Sequence, residues 1–126
     1  MKDNINFEIE HKYDIESDAI FINVKKKYKY STSIELNDNI ILDFDKNRSP
    51  CGLEILNTSS VLGVHRSNLE NIKEIQIEVK IDEKSISLSV CFGLVIGSHE
   101  KSVKVSPFTA NSIEVPTLQT KLASAF

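Results

Sequence analysis

A chain of 126 residues with a formal net charge of −3 is long enough to bury one core without covalent staples and short enough to form a single domain. The acidic balance argues against general affinity for nucleic acid or an anionic membrane. Cys51 and Cys91 are too few and too isolated for a metal knuckle and are expected to be free thiols. No apolar h-region opens the sequence, and no run approaches the roughly 18 apolar residues of a spanning helix, so the expected location is the cytoplasm.

In chain order, Phe7 to Tyr13 reads as a first strand, with Phe7 and Ile9 alternating against Glu8 and Glu10. Asp14, Glu16 and Asp18 follow as an acidic turn. Their spacing imitates the start of a calcium loop, but Ala19 stands where that loop needs Gly and Lys25 where it needs a bidentate Glu. Such a turn more simply bonds its own backbone amides. Ile20, Ile22 and Val24 begin a second strand whose parity continues through Tyr28 and Tyr30. Parity then sets Lys25, Lys27 and Lys29 on the face opposite the tyrosines, which weighs against a stacking site for nucleic acid.

From Ser33 to Leu56 the period is two. A loop at Asn37, Asp38 and Asn39 pairs Leu36 with Ile40 and Ile34 with Leu42, with positive φ expected at an Asn. A longer connection, Lys46 to Pro50, then sets Phe44 opposite Leu53 and Leu42 opposite Ile55. In that register Asp43 faces Glu54, with Asp45 beside Gly52. Directly opposed like charges destabilise a sheet. The repulsion must be offset by a neighbouring cation, a raised carboxylate pKa, a bound cation or water.

Past Leu56 the spacing of Leu62, His65, Leu69 and Ile72 predicts a helix, broken near Gly63, whose stripe covers one sheet face. Ser67 and Glu70 have capping-box spacing, and His65 is expected to pack on the stripe. A long hairpin follows: pairing Ile81 with Ile86 across a turn at Asp82 to Ser85 puts Ile75, Ile77, Val79, Leu88, Val90 and Phe92 on one face. Gly93 and Gly97 mark a bulge and the strand end. Val103 and Val105 suggest a further strand, Thr109 to Ser112 a turn, and Ile113 to Val115 a short return. Leu118, Leu122 and Phe126 allow a final helical turn or a frayed tail.

The segments YDIESDAIFINV, IELNDNIILDFD and GLEILN together resemble the YuzE-like family of small domains of unknown function. The matching positions are Tyr13, Asp14, Glu16, Asp18, Ala19, Asp43, Asp45, Gly52, Glu54, Ile55 and Leu56. They cover the first half of the chain, and Asn47-Arg48 departs from the Asp-Gly turn usual in the family. The resemblance implies a small antiparallel sheet with a helix, no established activity and an antitoxin-like role.

The fold expected from all this is α+β, mainly β: an antiparallel sheet of about six to eight short strands with one helix packed on it. Residues 1–126 form one domain, with a YuzE-like core over 1–62, a helix and long hairpin over 63–106, and an edge strand or tail over 107–126. Catalysis has little support, since His11, His65 and His99 lack metal-ligand spacing and no phosphate-binding glycine loop is present. No cofactor or metal is expected. The first functional reading is a non-enzymatic interaction protein, with a protein partner or a second copy of itself as its ligand. The alternative is a cation- or small-ligand-binding domain, with hydrolytic capacity, on the face of Asp43, Asp45 and Glu54.

Overall fold

The alternation in the sequence yields strands along most of the chain. The computed structural model describes residues 4–124, and within them lie β1 (Asn4–Asp14), β2 (Ala19–Val24), β3 (Tyr30–Glu35), β4 (Ile40–Asp45) and β5 (Pro50–Ile55). A five-residue helix, α1 (Thr58–Leu62), and one 3-10 turn over Arg66–Leu69 precede β6 (Ile72–Ile81), β7 (Ser85–Ile96), β8 (His99–Val105), β9 (Phe108–Ala110) and β10 (Leu118–Ala123). The strands join in one ten-stranded sheet in the order β3-β4-β5-β2-β1-β10-β6-β7-β8, with β9 pairing β7 beside β8.

β1 belongs to both halves of this sheet. Its residues 9–14 pair antiparallel with β2, while residues 4–8 pair parallel with β10. The sheet curls about this strand, so that Ile20, Leu42, Leu53 and Ile55 on one wing and Ile75, Val79, Ile86 and Phe92 on the other share one core. Arg48, in the β4–β5 turn, donates from Nη1 to the carbonyls of Ile113 (2.9 Å) and Glu114 (3.3 Å), tying that turn to the segment ahead of β10.

The expected α+β sheet of six to eight antiparallel strands under a helix is therefore incorrect: the fold is nearly all β, and the sheet is mixed. The helix stops where Gly63 turns to φ 68° and its N–H bonds the Ser59 carbonyl, a left-handed cap that ends the helix after five residues. Leu69 then sits in the 3-10 turn and Ile72 opens β6, so the helical spacing of these apolar residues comes from three different elements. His65 is exposed, and no side-chain capping bond forms at the 3-10 turn. The sheet face assigned to the helix is covered by the other wing.

Within the segment expected to be a helical turn, edge strand or tail, β9 lies at an edge beside β7, while the last strand is interior. β10 lies between β1 and β6, with Leu118 opposite Ile81, Thr120 opposite Val79 and Leu122 opposite Ile77. Phe126 lies outside the described residues. The hairpin of β6 and β7 has the expected register, Ile81 opposite Ile86 and Glu78 opposite Ser89. A register shift near Glu74 sets Gly93 opposite it, and Gly97 turns at φ 64° into β8.

Thr120 is fully buried and its Oγ1 has no hydrogen-bond partner among the described residues. An unpaired buried hydroxyl destabilises by about 1 kcal/mol or more. Thr120→Val is therefore expected to raise the urea midpoint, by a gain of about 1 kcal/mol. A loss of stability would mean that the hydroxyl is satisfied.

Candidate functional site

Two clusters of polar side chains occupy the N-terminal wing. The first is the acidic face read from the sequence. The turn between β4 and β5 is shorter than expected: Asp45 N–H bonds the Ser49 carbonyl (2.9 Å), Arg48 takes φ 61°, and Asp45 Oδ1 accepts the N–H groups of Asn47 (2.8 Å) and Ser49 (3.0 Å). The shorter loop draws β5 inward by two residues, which leaves Leu42, Leu53, Asp43 and Glu54 on their expected faces. Leu42 then faces Leu53, Asp43 faces Gly52, and Ile41 faces Glu54, with a bulge at Cys51.

Asp43 and Glu54 thus meet diagonally instead of head-on. The Asp43 carboxylate lies over Gly52, where an added Cβ would stand 3.0 Å from its Oδ2 and 3.1 Å from the Ile22 carbonyl oxygen. Only a glycine leaves that room. Ser33 Oγ donates to Asp43 Oδ1 at 2.6 Å and lies 2.7 Å from the Tyr30 hydroxyl, so Tyr30 donates to Ser33. Glu54 is pushed up from 4.5 to about 7 by burial, by its hydrogen bond to Asp43, and by the Asp43 charge. Glu54 therefore carries the proton and Asp43 accepts from both sides.

Asp45 does not join this pair. It is 4 % exposed and is spent on its own turn. Burial, aided by the charges of Asp43 and then Asp45, pushes the Cys51 thiol up to about 12, which leaves the thiol protonated and unreactive. Among the described residues no group of three or more His, Cys, Asp or Glu is placed to hold a metal ion. What the pair can do is bind and release one proton near neutral pH.

This has a measurable consequence. Below pH 4.5 Glu54 is protonated in folded and unfolded chains alike; between 4.5 and about 7 the folded state keeps a proton that the unfolded chain has shed. Stability is expected to fall across that window, by roughly 1 kcal/mol once solvent screening is allowed for. Glu54→Gln should flatten this part of the stability profile, measured by urea titration at a series of pH values. An unchanged slope would assign the proton elsewhere.

The second cluster lies outside the acidic face expected from the sequence. Asp18, at φ 54° in the β1–β2 turn, is 4 % exposed and accepts from Tyr13 Oη (2.6 Å), Ser59 Oγ (2.6 Å) and Ser59 N (3.0 Å). Its own carbonyl accepts Thr58 N–H (2.9 Å) and Thr58 Oγ1 (3.0 Å), so the turn supplies the N-terminal partners that α1 lacks locally. Asn57, the residue at the N-cap, makes no capping bond. Arg66 Nε stands 3.7 Å from Asp18, and Arg66 Nη1 donates to the carbonyls of Ile15 (3.0 Å) and Glu16 (3.3 Å). Burial works to raise the Asp18 pKa, but the hydrogen bonds from Ser59 and Tyr13 and the Arg66 charge hold it below 3.8. Burial and that bond push Tyr13 up to about 12. Asp14 behaves as expected of a turn residue, its Oδ1 accepting Glu16 N–H at 3.0 Å.

The segment Lys25 to Tyr30 departs from its expected form. β2 ends at Val24, and the lysines lie in the loop that crosses to β3 at the far edge of the wing. They are not set on one strand face, and none forms an ion pair with Asp43 or Glu54 among the described residues.

Comparison with known proteins bears on the same region. The family described as "Protein of unknown function (DUF2283)" matches residues 3–59. A relative named "Putative hypoxanthine phosphoribosyltransferase", from Methanosarcina mazei, is 36 % identical over 78 residues, covering 62 % of this chain and 62 % of its own length. An uncharacterised protein of Methanocaldococcus jannaschii is 33 % identical over 79 residues, covering 62 % of this chain and 66 % of its own length. The chain thus spans roughly two thirds or less of the length of these curated relatives. No solved structure matches it. No helix among the described residues is long and apolar enough to cross a membrane. The N-terminal region, from β1 to the Ser59 that Asp18 holds, matches a small domain of unknown function, DUF2283.

Proposed function

We propose that this protein is a cytoplasmic, non-enzymatic interaction domain whose sheet edge at β3 accepts a strand of another polypeptide, either a partner protein or a second copy. The antitoxin-like role implied by the YuzE-like resemblance is one form of this reading. One observation carries it. β3 ends the sheet, is uncharged from Tyr30 to Ile34, and exposes Tyr30, Ser31 and Thr32. The opposite edge, β8, carries His99, Glu100, Lys101 and Lys104, the charges that ordinarily protect an edge from pairing. An open, uncharged edge strand offers main-chain hydrogen bonds to an incoming strand.

The transferase named for the Methanosarcina mazei relative is not carried over, because the match covers only 62 % of that protein's length. A proton-binding carboxyl pair on an open face, beside the 41 % exposed Phe21, also lacks the enclosed cleft that acid-base catalysis needs.

The test uses one substitution. Leu36 N–H bonds the Ile40 carbonyl (2.8 Å), so by alternation Glu35 N–H faces away from β4. Glu35→Pro therefore closes the open edge without removing a bond to β4. A stoichiometric protein captured from nuclease-treated extract, or a dimer in sedimentation equilibrium, should be lost in Glu35→Pro at unchanged melting temperature. A wild-type chain that stays monomeric and captures nothing would sink the proposal.

A further inference from the structure

The loop from Lys25 to Lys29 lines an open cleft of about 690 Å³ whose other walls include Glu10, Asn23, Asp45, Lys46 and Asn47. Both ends of the loop are fixed: Lys25 N–H bonds the Glu8 carbonyl and Lys46 N–H bonds the Lys29 carbonyl, each at 2.9 Å. Lys25, Lys26, Lys27, Lys29 and Lys46 bring a third of the chain's 15 cationic residues to this one cleft, in a chain whose net charge is −3. Composition alone does not produce such a concentration.

The carboxylates nearby do not cancel it. Glu10 and Asp45 also line the cleft, but two carboxylates against five lysines leave a positive excess. Lys25 pairs with Glu8 at 3.4 Å, and Lys26 stands 4.1 Å from the centre of the Phe7 ring. Lys27, Lys29 and Lys46 have no carboxylate partner among the described residues. Between Lys27 and Lys29 stands Tyr28, 38 % exposed. Three unpaired ammonium groups around a concavity suit phosphate oxygens, and a part-exposed ring suits a planar base. The volume exceeds what a bare phosphate fills and falls in the range of small-molecule sites.

We propose that this cleft binds a nucleotide, its phosphate held by Lys27, Lys29 and Lys46 and its base stacked on Tyr28. The site adjoins the start of β3 but is lined by none of that strand's residues, and it does not depend on the edge reading. The ligand is either a free mononucleotide or one residue of a single strand, since both present the same phosphate and ring.

Calorimetric titration of the full chain at low ionic strength with 5′-AMP, a ten-residue oligo(U) and inorganic phosphate separates the cases. Binding of AMP or of oligo(U) is expected, weakening as salt is added. It should fall by about tenfold or more in the triple variant Lys27→Ala, Lys29→Ala, Lys46→Ala, and remain in a control variant, Lys84→Ala, Lys101→Ala, Lys104→Ala. Tyr28→Leu should weaken both nucleotide ligands. AMP binding as tightly as oligo(U) identifies a mononucleotide site; oligo(U) alone identifies a strand. The proposal is overturned if neither binds, if inorganic phosphate binds as well as AMP, or if the control variant loses as much as the cleft variant. Glu35→Pro should leave every titration unchanged, so the failure of one reading is distinguishable from the failure of the other.

Discussion

Truncation after Thr117 is expected to abolish the cooperative unfolding transition. The cut removes β10, the strand between β1 and β6. It takes away Leu122, which is 1 % exposed, and exposes the flanks of Phe7, Ile77 and Val79 to water. Burying one such side chain is worth about 2 kcal/mol. The backbone ladders on both sides of β10 are lost together with the apolar contacts, and the sum matches or exceeds the roughly 5–15 kcal/mol that holds a domain of this size together. Circular dichroism and a urea titration would read the outcome. A truncated chain that still unfolds in one sharp step would show that the wings are stable apart. Leu122→Ala, a milder change, should cost about 2–5 kcal/mol and leave the fold intact.

Asp18→Ala is expected to destabilise the chain by about 3 kcal/mol, as the loss of a buried charged acceptor with several donors does. The substitution leaves Ser59 N–H without its acceptor, strands the Tyr13 hydroxyl and deprives Arg66 of its carboxylate. Asp14→Ala, an exposed change in the same turn, should cost under about 0.5 kcal/mol. The Asp18 contribution also has a pH signature. Because its pKa is held below 3.8, its stabilisation is complete above that value and is lost as pH falls through the lowered pKa. Wild type should therefore weaken on the acid side, in a range where Asp18→Ala shows a smaller slope. Equal costs for Asp14→Ala and Asp18→Ala would refute the assignment.

The legible parts of this fold are those where one residue type decides. In β6 and β7 an aliphatic or aromatic residue stands at nearly every inward position, so register and turn follow from alternation alone. β10 hides because its middle inward residue is Thr120: Leu118 and Leu122, with a polar residue between, fit a helical spacing of four as well as a strand spacing of two. The Asn37 loop has the expected pairing and a different cause. Asn37 Oδ1 accepts the N–H groups of Asn39 (2.8 Å) and Ile40 (2.9 Å), and none of the three loop residues has positive φ. In the acidic face, parity identified Asp43 and Glu54 as neighbours, but the length of the turn, set by Asp45, lies beyond parity. Asp18 is legible as a turn residue and as a position of the family resemblance, but its role is hidden because its partner Ser59 lies 41 residues away.

The parallel contact of β1 with β10 also decides how the molecule responds to force. A pull that separates Asn4 from Ser124 draws β1 and β10, which run in the same direction and are paired from Asn4 and Gln119 to Glu8 and Ala123, along their common axis. Their hydrogen bonds are then loaded together in shear, whereas a hairpin pulled from its two ends gives way one bond at a time. Mechanical unfolding is governed by the height of that first barrier. Tension applied between Asn4 and Ser124 is expected to meet a higher barrier than tension applied at the tip of the β6–β7 hairpin.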